Sequence, residues 1–227
     1  FRPHTGRFGA SDPAGDRART GAGPPVTRLS YSALGEYERC GYRFYAERVI
    51  GLPPTAPRGS GRAAGLTGTE RGILVHAVLE QLDFRRGAPM PVPVASIAAP
   101  GQPVPRAEEA EEIDTLIAAF AASELAARLG RSSDVRREER FTFLLKDGAL
   151  MTGAFDVLAR EGPGRMLVID YKSDRLDGAL PEAVLSGSYA TQRLICALAA
   201  IRAGAAAVEV VHVFLEAPEH PVSAQFR

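Results

Sequence analysis

The stretch RMLVIDYKSD, residues 165–174, constrains the fold more strongly than any other part of this sequence. Its four consecutive apolar residues, 166–169, predict a strand that is buried on both faces of a sheet. The strand then ends in Asp170 and Lys172. Because alternate residues of a strand point to one face, these two charged side chains share a side. The pattern therefore predicts that the strand leaves the apolar core at a polar cleft.

Residues before this stretch predict two more strands that fold back on one another. Apolar residues alternate over 137–145, and Asp147-Gly148 is a strong signal for a two-residue hairpin turn. A second strand is expected at 149–160, and a turn containing Gly and Pro at 161–164 leads into the apolar strand. Together the three segments predict an antiparallel meander.

Helical patterns surround the predicted meander. Apolar residues recur at helical spacing in four segments, which are residues 30–49, 72–84, 107–129 and 188–204. A final apolar strand at 208–216 follows the last helix, and we expect a crossover connection to place it in the same sheet. Helices, meander, helix and strand together predict one mixed α/β domain.

The amino-terminal residues 1–27 are rich in Gly, Pro, Arg and Asp and show no periodicity. Such a composition buries too little apolar surface to offset its ordering entropy. A linker or tail is therefore expected at 1–27 and the folded domain at 28–227. The chain starts at Phe1 rather than at a methionine, and we interpret it as a module of a longer protein.

Composition excludes some kinds of site and leaves others open. Lys+Arg and Asp+Glu both number 27, so no overall positive charge indicates a nucleic-acid partner, although a local basic groove would be sufficient. Cys40 and Cys196 are too few to hold a zinc ion or an iron–sulfur cluster alone, and they are expected to be reduced, as in the cytoplasm. The longest apolar run, 194–201, is far shorter than the about 20 residues that a membrane span needs.

Acidic residues of the predicted meander converge on one place. Asp156 and Asp170 lie at equal distances on either side of Pro163 in the second turn, so they are expected to face each other across neighbouring strands. The hairpin register sets Glu139 opposite Asp156, and a slip of one residue sets Glu138 there instead. Carboxylates this close require a cation, or one of them must hold its proton. Their hard oxygen atoms suit Mg²⁺ or Mn²⁺ better than zinc.

Lys172 and Tyr171 add to this predicted metal site. An ammonium group beside the metal can orient an attacking water molecule or stabilise a charged transition state. The backbone carbonyl of Tyr171, between the two charged residues, can supply one more ligand. The residues thus predict a divalent metal that activates water and stabilises charge on a phosphoryl oxygen.

These motifs also resemble those of a known family. GAFD (153–156), whose Asp is followed 14 positions later by the Asp of IDYK (169–172), resembles the PD-(D/E)XK nuclease superfamily. The more specific resemblance is to the RecB and AddA type of nuclease domain in bacterial helicase–nuclease proteins. Four other segments are similar to that domain in the same order, namely LSYSALGEYERCGYRFYAERVIGL (29–52), RGILVHAVLE (71–80), EERF (138–141) and YATQRLIC (189–196). The resemblance spans residues 28–216.

The resemblance implies a restriction-endonuclease-like fold, with a mixed central sheet flanked by helices, and a metal-dependent deoxyribonuclease. Such a domain hydrolyses phosphodiesters at single- or double-stranded DNA ends, in end processing and recombinational repair. It also implies that the domain is the C-terminal module of a larger protein, with a helicase module in the same parent chain and a partner subunit. This sequence contains no GxxxxGK[ST] phosphate loop, so the ATPase is expected elsewhere. There are two alternatives. One is a stand-alone nuclease of this type with no motor, and the other is a catalytically inactive nuclease fold that binds DNA or a protein partner.

The resemblance further implies roles for individual residues. The implied ligands of Mg²⁺ or Mn²⁺ are His76, Asp156, Asp170 and the carbonyl of Tyr171. Lys172 would act on the water or the phosphate, and Gln192 would help to position Lys172 or the DNA. Spacing to Phe141 in the family favours Glu138 over Glu139 as the supporting carboxylate.

Three departures from the family pattern accompany these matches. Phe155 stands where the superfamily name has Pro, and Gly41 replaces the Pro that commonly follows the cysteine of the first segment. Cys196 stands where the last motif usually has Tyr, so the DNA-contacting or packing role of that ring does not transfer. The four-cysteine iron–sulfur staple of some relatives is absent, which favours the type of domain that lacks the cluster.

Overall fold

A six-stranded mixed sheet forms the centre of the protein in the computed structural model, which describes residues 26–53, 65–86, 92–97 and 103–227. The strands are β1 (Arg28–Ser30), β2 (Asp134–Leu144), β3 (Leu150–Gly162), β4 (Arg165–Lys172), β5 (Ala207–Phe214) and β6 (Val222–Phe226). Their order is β1-β3-β4-β5-β6, with β2 on the other edge of β3. The predicted linker at 1–27 lies outside the described residues, except for its last two.

Helices cover both faces of this sheet. They are α1 (Tyr31–Arg39), α2 (Gly41–Phe44), α3 (Gly68–Glu80), α4 (Ala107–Ala121), α5 (Glu124–Gly130), α6 (Pro181–Ser188) and α7 (Ala190–Arg202). A π-helix spans Tyr45–Val49, and short 3-10 helices span Phe84–Arg86 and Val94–Ser96. One apolar core joins α3, α4 and α5 to the sheet, and a second core joins α7 to the opposite face. The predicted α/β class with a mixed, helix-flanked sheet is therefore confirmed.

Strand β4 lies at the centre of both cores, as its apolar sequence predicts. Leu167, Ile169 and Tyr171 pack in the core with α3, α4 and α5, whereas Val168 packs in the core with α7. Strand β5 pairs with β4 in parallel, so the predicted crossover is present and is formed by α6 and α7. Among the described residues, no helix is both long and apolar enough to cross a membrane.

The hairpin between β2 and β3 differs from the predicted two-residue turn. The Leu145 amide donates to the Ala149 carbonyl at 2.8 Å, which leaves a three-residue loop, 146–148. Gly148 has φ of +89°, a left-handed conformation that glycine adopts without strain and that such loops need at their third residue. The predicted pairing of Lys146 with Ala149 is therefore wrong by one residue, and Leu144 pairs with Leu150.

Two segments that were each predicted as one helix form separate helices in the structure. The pattern at 107–129 divides at Ser123, whose hydroxyl accepts from the Ala126 amide at 3.2 Å and caps α5. The pattern at 30–49 divides at Cys40, which is extended, with φ of −162°. A polar cap residue inside an apolar periodicity starts a new helix because it satisfies amides that otherwise lack partners.

Candidate active site

The candidate site lies where β4 leaves the sheet. Strand β4 pairs with one edge of β3 from Val157 to Gly162, and β1 pairs with the same edge from Leu150 to Thr152. Asp156 lies between these two paired stretches. Extending the β3–β4 register by one residue sets it opposite Asp170, as the sequence predicts. The edge of β3 is therefore open at this aspartate.

Helix α3 supplies one wall of the site. Thr67 and Glu70 form a reciprocal capping box, since each side chain accepts from the other residue's amide, at 3.2 and 2.8 Å. The core face of the helix consists of Leu74, Val75, Val78 and Leu79. The face that lines the cleft consists of Ile73, His76, Ala77 and Glu80, at helical spacing. The cap and the apolar stripe together fix the rotation of α3 that points His76 into the cleft.

The strands β2 and β3 are both irregular beside His76. Phe155 packs in the core with α7, whereas Val157, two residues later, packs in the core with α3. Residues two apart on a regular strand share a face, so β3 is kinked at Asp156. Opposite this kink, Glu138 has φ of +50°, an uncommon left-handed conformation for a residue other than glycine. Such backbone strain is concentrated at functional sites in proteins.

Three side chains converge at this kink. The Nδ1 atom of His76 lies 3.7 Å from a carboxylate oxygen of Glu138 and 3.7 Å from one of Asp156. Ligand atoms of the three residues all lie within 4.8 Å of one another. The side chains of His76 and Glu138 are 34% and 39% exposed and that of Asp156 is 14% exposed, so solvent reaches the cluster. The cluster opens into a cleft of about 600 Å³.

A second polar cluster lies on the side of the sheet that packs against α7. Asp170 and Lys172 are only 5% and 8% exposed, and Lys172 Nζ lies 2.5 Å from Asp170 Oδ2. Gln192 of α7 binds both residues, since its amide donates to Asp170 Oδ1 at 2.5 Å and its Oε1 accepts from Lys172 at 2.8 Å. The ammonium group also lies 4.1 Å from the centre of the Tyr189 ring. Lys172 is thus held by three partners.

Electrostatics at Asp156 favour a cation. Burial, and after it the negative charge of Asp170, raise the pKa of Asp156 well above its usual range. The Tyr171 amide, which donates to Asp156 Oδ2 at 2.8 Å, and the charge of Lys172 only partly oppose this effect. A divalent cation between the carboxylates would remove the repulsion, and imidazole and carboxylate groups are both common metal ligands. The donor set therefore fits a divalent metal.

The structure separates the predicted site residues into these two clusters. His76, Glu138 and Asp156 form the first, and Asp170, Lys172 and Gln192 form the second. Glu139 belongs to neither, because it pairs with Phe155 and lies 3.1 Å from Arg136. The one-residue correction of the hairpin thus brings Glu138, and not Glu139, opposite Asp156.

Tyr171 and Cys196 lie deeper than the clusters. The Tyr171 ring is buried, edge-on to His76 with ring centres 6.2 Å apart, and it is the Tyr171 amide that contacts Asp156. Cys196 is buried on the inner face of α7, and both cysteines are free. Burial, followed by the charges of Asp170 and Asp156, raises the pKa of the Cys196 thiol to about 12, so the thiol stays protonated.

Two residues at the site were missed from sequence. Arg140 lines the same cleft as His76 and is exposed, with no ion pair within the described part of the chain. His212 of β5 is completely buried and is paired in register with Asp170. The sequence feature that points to His212 is a single histidine within the apolar strand VEVVHVFLE. The predicted crossover places this strand beside the charged end of β4.

Comparisons with known proteins identify the family of this chain. The family model of the PD-(D/E)XK nuclease superfamily matches residues 28–225. The chain is similar to an ATP-dependent helicase/nuclease subunit from Bacillus cytotoxicus, with 31% identity over 132 residues, or 52% of this chain and 10% of the relative. The corresponding subunit from Bacillus cereus, which carries the same name, is 30% identical over 132 residues, or 52% of this chain and 11% of the relative. The chain spans about a tenth of the length of these curated relatives.

A solved structure shares the fold. The putative exonuclease from Eubacterium rectale superposes with a TM-score of 0.51 at 12% sequence identity, and the match covers 88% of this chain and 72% of that one. At this level of identity the likeness concerns the arrangement of helices and strands alone.

Proposed function

Because the chain belongs to the PD-(D/E)XK nuclease superfamily, we propose that its activity is metal-dependent hydrolysis of phosphodiester bonds in DNA. The observation that carries the proposal is the convergence of His76, Glu138 and Asp156 within 4.8 Å at an open cleft. The Tyr171 amide, between Asp170 and Lys172 on β4, donates to Asp156 in this cluster. An imidazole and carboxylates beside a buried ammonium group form a donor set suited to phosphoryl chemistry.

Metal binding is assigned to His76, Asp156 and Asp170, with the Tyr171 carbonyl as a further ligand and Glu138 as the supporting carboxylate. The chemistry that Mg²⁺ or Mn²⁺ supplies at such a site is activation of water and stabilisation of charge on a phosphoryl oxygen. Asp156 already lies in the cleft, whereas both carboxylate oxygens of Asp170 lie within 2.5 Å of Gln192 or Lys172. We propose that Asp170 exchanges one of these partners for the metal.

Lys172 is proposed to act once Asp170 has turned. Its ammonium group lies in a buried environment, where a charge interacts more strongly than in water. Released from Asp170 but still held by Gln192, the ammonium group can orient the attacking water or stabilise charge on the phosphate. Gln192 thereby acts as a positioning residue, since it contacts both members of the pair.

Arg140 is proposed to bind the DNA backbone. Its cleft is otherwise acidic, because Glu80, Glu138 and Asp156 line it together with His76. A polyanionic strand requires cations along such a wall, and guanidinium groups bind phosphate with two parallel hydrogen bonds. Arg140 supplies such a charge in this cleft.

A cleavage assay on linear single- and double-stranded DNA tests this function. Wild-type protein is expected to degrade DNA with Mg²⁺ or Mn²⁺ and not with EDTA, and Lys172→Ala is expected to abolish cleavage. Thr142→Ala, an exposed change on β2, is the control and should keep wild-type activity. Cleavage that persists in EDTA or in the Lys172→Ala protein would refute the assignment.

The alternative function is a catalytically inactive nuclease fold that binds DNA or a protein partner. The engagement of Asp170 by Lys172 and Gln192 favours it, since a paired carboxylate needs no metal. The raised pKa of Asp156 favours the active enzyme, because repelling carboxylates destabilise a fold that has no use for them. DNA binding without cleavage by the wild type, in the presence of either metal, would support the alternative.

The wider setting is proposed from the relatives. Two of them are named as helicase/nuclease subunits and are about ten times longer than the matched part. We propose that the domain works beside a helicase module in its parent chain, with a partner subunit, in DNA end processing and recombinational repair. Measuring cleavage of duplex ends with and without the parent's ATPase activity tests this setting.

A further inference from the structure

We propose that His212 is a positioning residue for Asp170, donating a hydrogen bond from Nε2 to Asp170 Oδ2 when Lys172 leaves that oxygen. The inference rests on the proposed function, because it assigns how one metal ligand of that site is held. It concerns a residue from β5, behind the cleft, that contacts neither the metal cluster nor solvent.

Unsatisfied polar atoms carry the inference. The His212 side chain is fully buried, and neither ring nitrogen has a hydrogen-bond partner among the described residues. Asp170 Oδ2 likewise accepts no well-aligned hydrogen bond there, although Lys172 Nζ lies 2.5 Å away as an ion pair. His212 Nε2 is 3.7 Å from this same oxygen, just beyond hydrogen-bonding distance. A buried donor and a buried acceptor therefore face each other with a small gap between them.

Register fixes this juxtaposition. His212 pairs with Asp170 across the parallel strands β4 and β5, so their side chains lie on the same face of the sheet. The neighbours of His212 on β5 are Val211 and Val213, both buried in the apolar core on the opposite face. An apolar residue at position 212 would pack without leaving polar atoms unsatisfied. The histidine therefore requires a reason other than packing.

That reason follows from the contacts of Asp170. The carboxylate is now restrained by Gln192 on Oδ1 and by Lys172 on Oδ2. When metal binding releases Lys172 from Oδ2, the imidazole N–H behind that oxygen can donate to it and hold the carboxylate. Hydrogen bonds to metal ligands fix their orientation and strengthen metal binding.

Calorimetric titration of the whole chain with Mn²⁺ and Mg²⁺ tests the inference without any cleavage. His212→Phe keeps the ring but removes the donor, and it is expected to weaken Mn²⁺ binding about tenfold, with the melting temperature unchanged or raised. His212→Gln restores a donor at about the same distance along the side chain and is expected to bind Mn²⁺ within about threefold of the wild type. Mn²⁺ affinity of His212→Phe equal to that of the wild type would overturn the inference.

Val210→Ala is the matched control, because Val210 is buried on the same face of β5, two residues from His212. It is expected to lower the melting temperature and to leave Mn²⁺ affinity unchanged. If Val210→Ala weakens Mn²⁺ binding as much as His212→Phe does, packing explains both results and the inference fails. If His212→Phe does not fold, the comparison of His212→Leu with His212→Gln answers the same question.

Different experimental results would contradict the proposed function and the inference about His212. Wild-type protein that binds Mn²⁺ but cleaves no DNA contradicts the proposed function, and the comparison of His212→Phe with His212→Gln still tests the inference. Wild-type protein that binds neither Mn²⁺ nor Mg²⁺ overturns the inference together with the metal dependence. In an active enzyme, the Mn²⁺ concentration for half-maximal cleavage should rise in His212→Phe, while KM for DNA at saturating Mn²⁺ stays constant.

Discussion

At the scale of single residues, the ionised form of Asp156 is electrostatically unfavourable in the metal-free protein. Its carboxylate is mostly buried, faces Asp170 and has only a backbone amide and a nearby ammonium charge to offset the repulsion. The raised pKa means that the folded, metal-free protein holds a proton there more tightly than the unfolded chain does. Metal binding has to displace that proton, so metal affinity should fall as the pH is lowered.

Asp156→Asn should stabilise the metal-free protein. A carboxyl group with a raised pKa stabilises the fold at low pH, and this contribution is lost as the pH rises through the raised value. The melting temperature of Asp156→Asn in EDTA is therefore expected to exceed that of the wild type by a few degrees at about pH 8, and the difference should shrink towards about pH 4. Asp147→Asn, in the exposed hairpin loop, is the control and should show no such trend. A stability difference that does not vary with pH would contradict the explanation.

Arg140→Ala should weaken DNA binding without affecting metal binding. Loss of one phosphate contact is expected to reduce the slope of log affinity against log salt concentration by about 0.7 to 0.9. The measurement is binding of a labelled DNA end in a Lys172→Ala background at several salt concentrations. Arg136→Ala is the matched control, because Arg136 lies on the same strand and is paired with Asp134 and Glu139. An equal effect of both substitutions would show that only overall charge matters.

At the scale of elements, the strands were more predictable than their register. The apolar run of β4 identified the central strand, because burial on both faces leaves few alternatives. The hairpin between β2 and β3 was placed correctly, but its loop length depends on the left-handed Gly148 and not on the dipeptide alone. The length of this loop decides whether Glu138 or Glu139 lies opposite Asp156. The resemblance favoured the acidic residue that the structure places opposite Asp156, while the turn rule favoured the other.

Other features of the elements lay beyond sequence reasoning. Strand β6 has an alternating, half-exposed pattern at the sheet edge and was not predicted. Helix α6 is short and begins at Pro181, so its periodicity is weak. The partition of the site into two clusters depends on which hydrogen bonds the Asp170 side chain makes. Sequence spacing sets the backbone position of that side chain and leaves its partners undetermined.

Gly153 marks a close contact between β3 and β2. A methyl group added there would overlap the ring of Phe141, which stacks on Phe143 and contacts Phe155. Gly153→Ala is therefore expected to destabilise the protein by about 1–3 kcal/mol in urea unfolding. Phe141→Leu should recover part of that loss when both changes are combined in a double-mutant cycle.

Gly162→Ala is the control for this contact. Gly162 ends the same strand, and a methyl group added there would meet no atom within 4 Å. The stability of Gly162→Ala is expected to lie within about 0.5 kcal/mol of the wild type. If Gly153→Ala and Gly162→Ala unfold at the same urea concentration, steric overlap with the ring is not what constrains residue 153.

At the scale of the whole molecule, we propose that residues 28–227 form a domain that folds on its own. The sheet begins with Arg28, and the described elements of both cores lie after it. A protein of residues 28–227 is expected to match the melting temperature and Mn²⁺ affinity of the 227-residue chain. A loss of several degrees on removing 1–27 would place those residues within the domain instead.

The long-range pairing of the sheet also determines when the site can exist during synthesis. Arg28 pairs with Leu150 across 122 positions, and His76 is 116 positions from Gln192. Contacts of such sequence separation form late in folding. A ribosome therefore releases the carboxylates of β3 and β4 before α7 and β5 have emerged to hold them. Any cleavage activity should therefore appear only when the fold is complete. A nascent chain truncated before β5 should not cleave DNA.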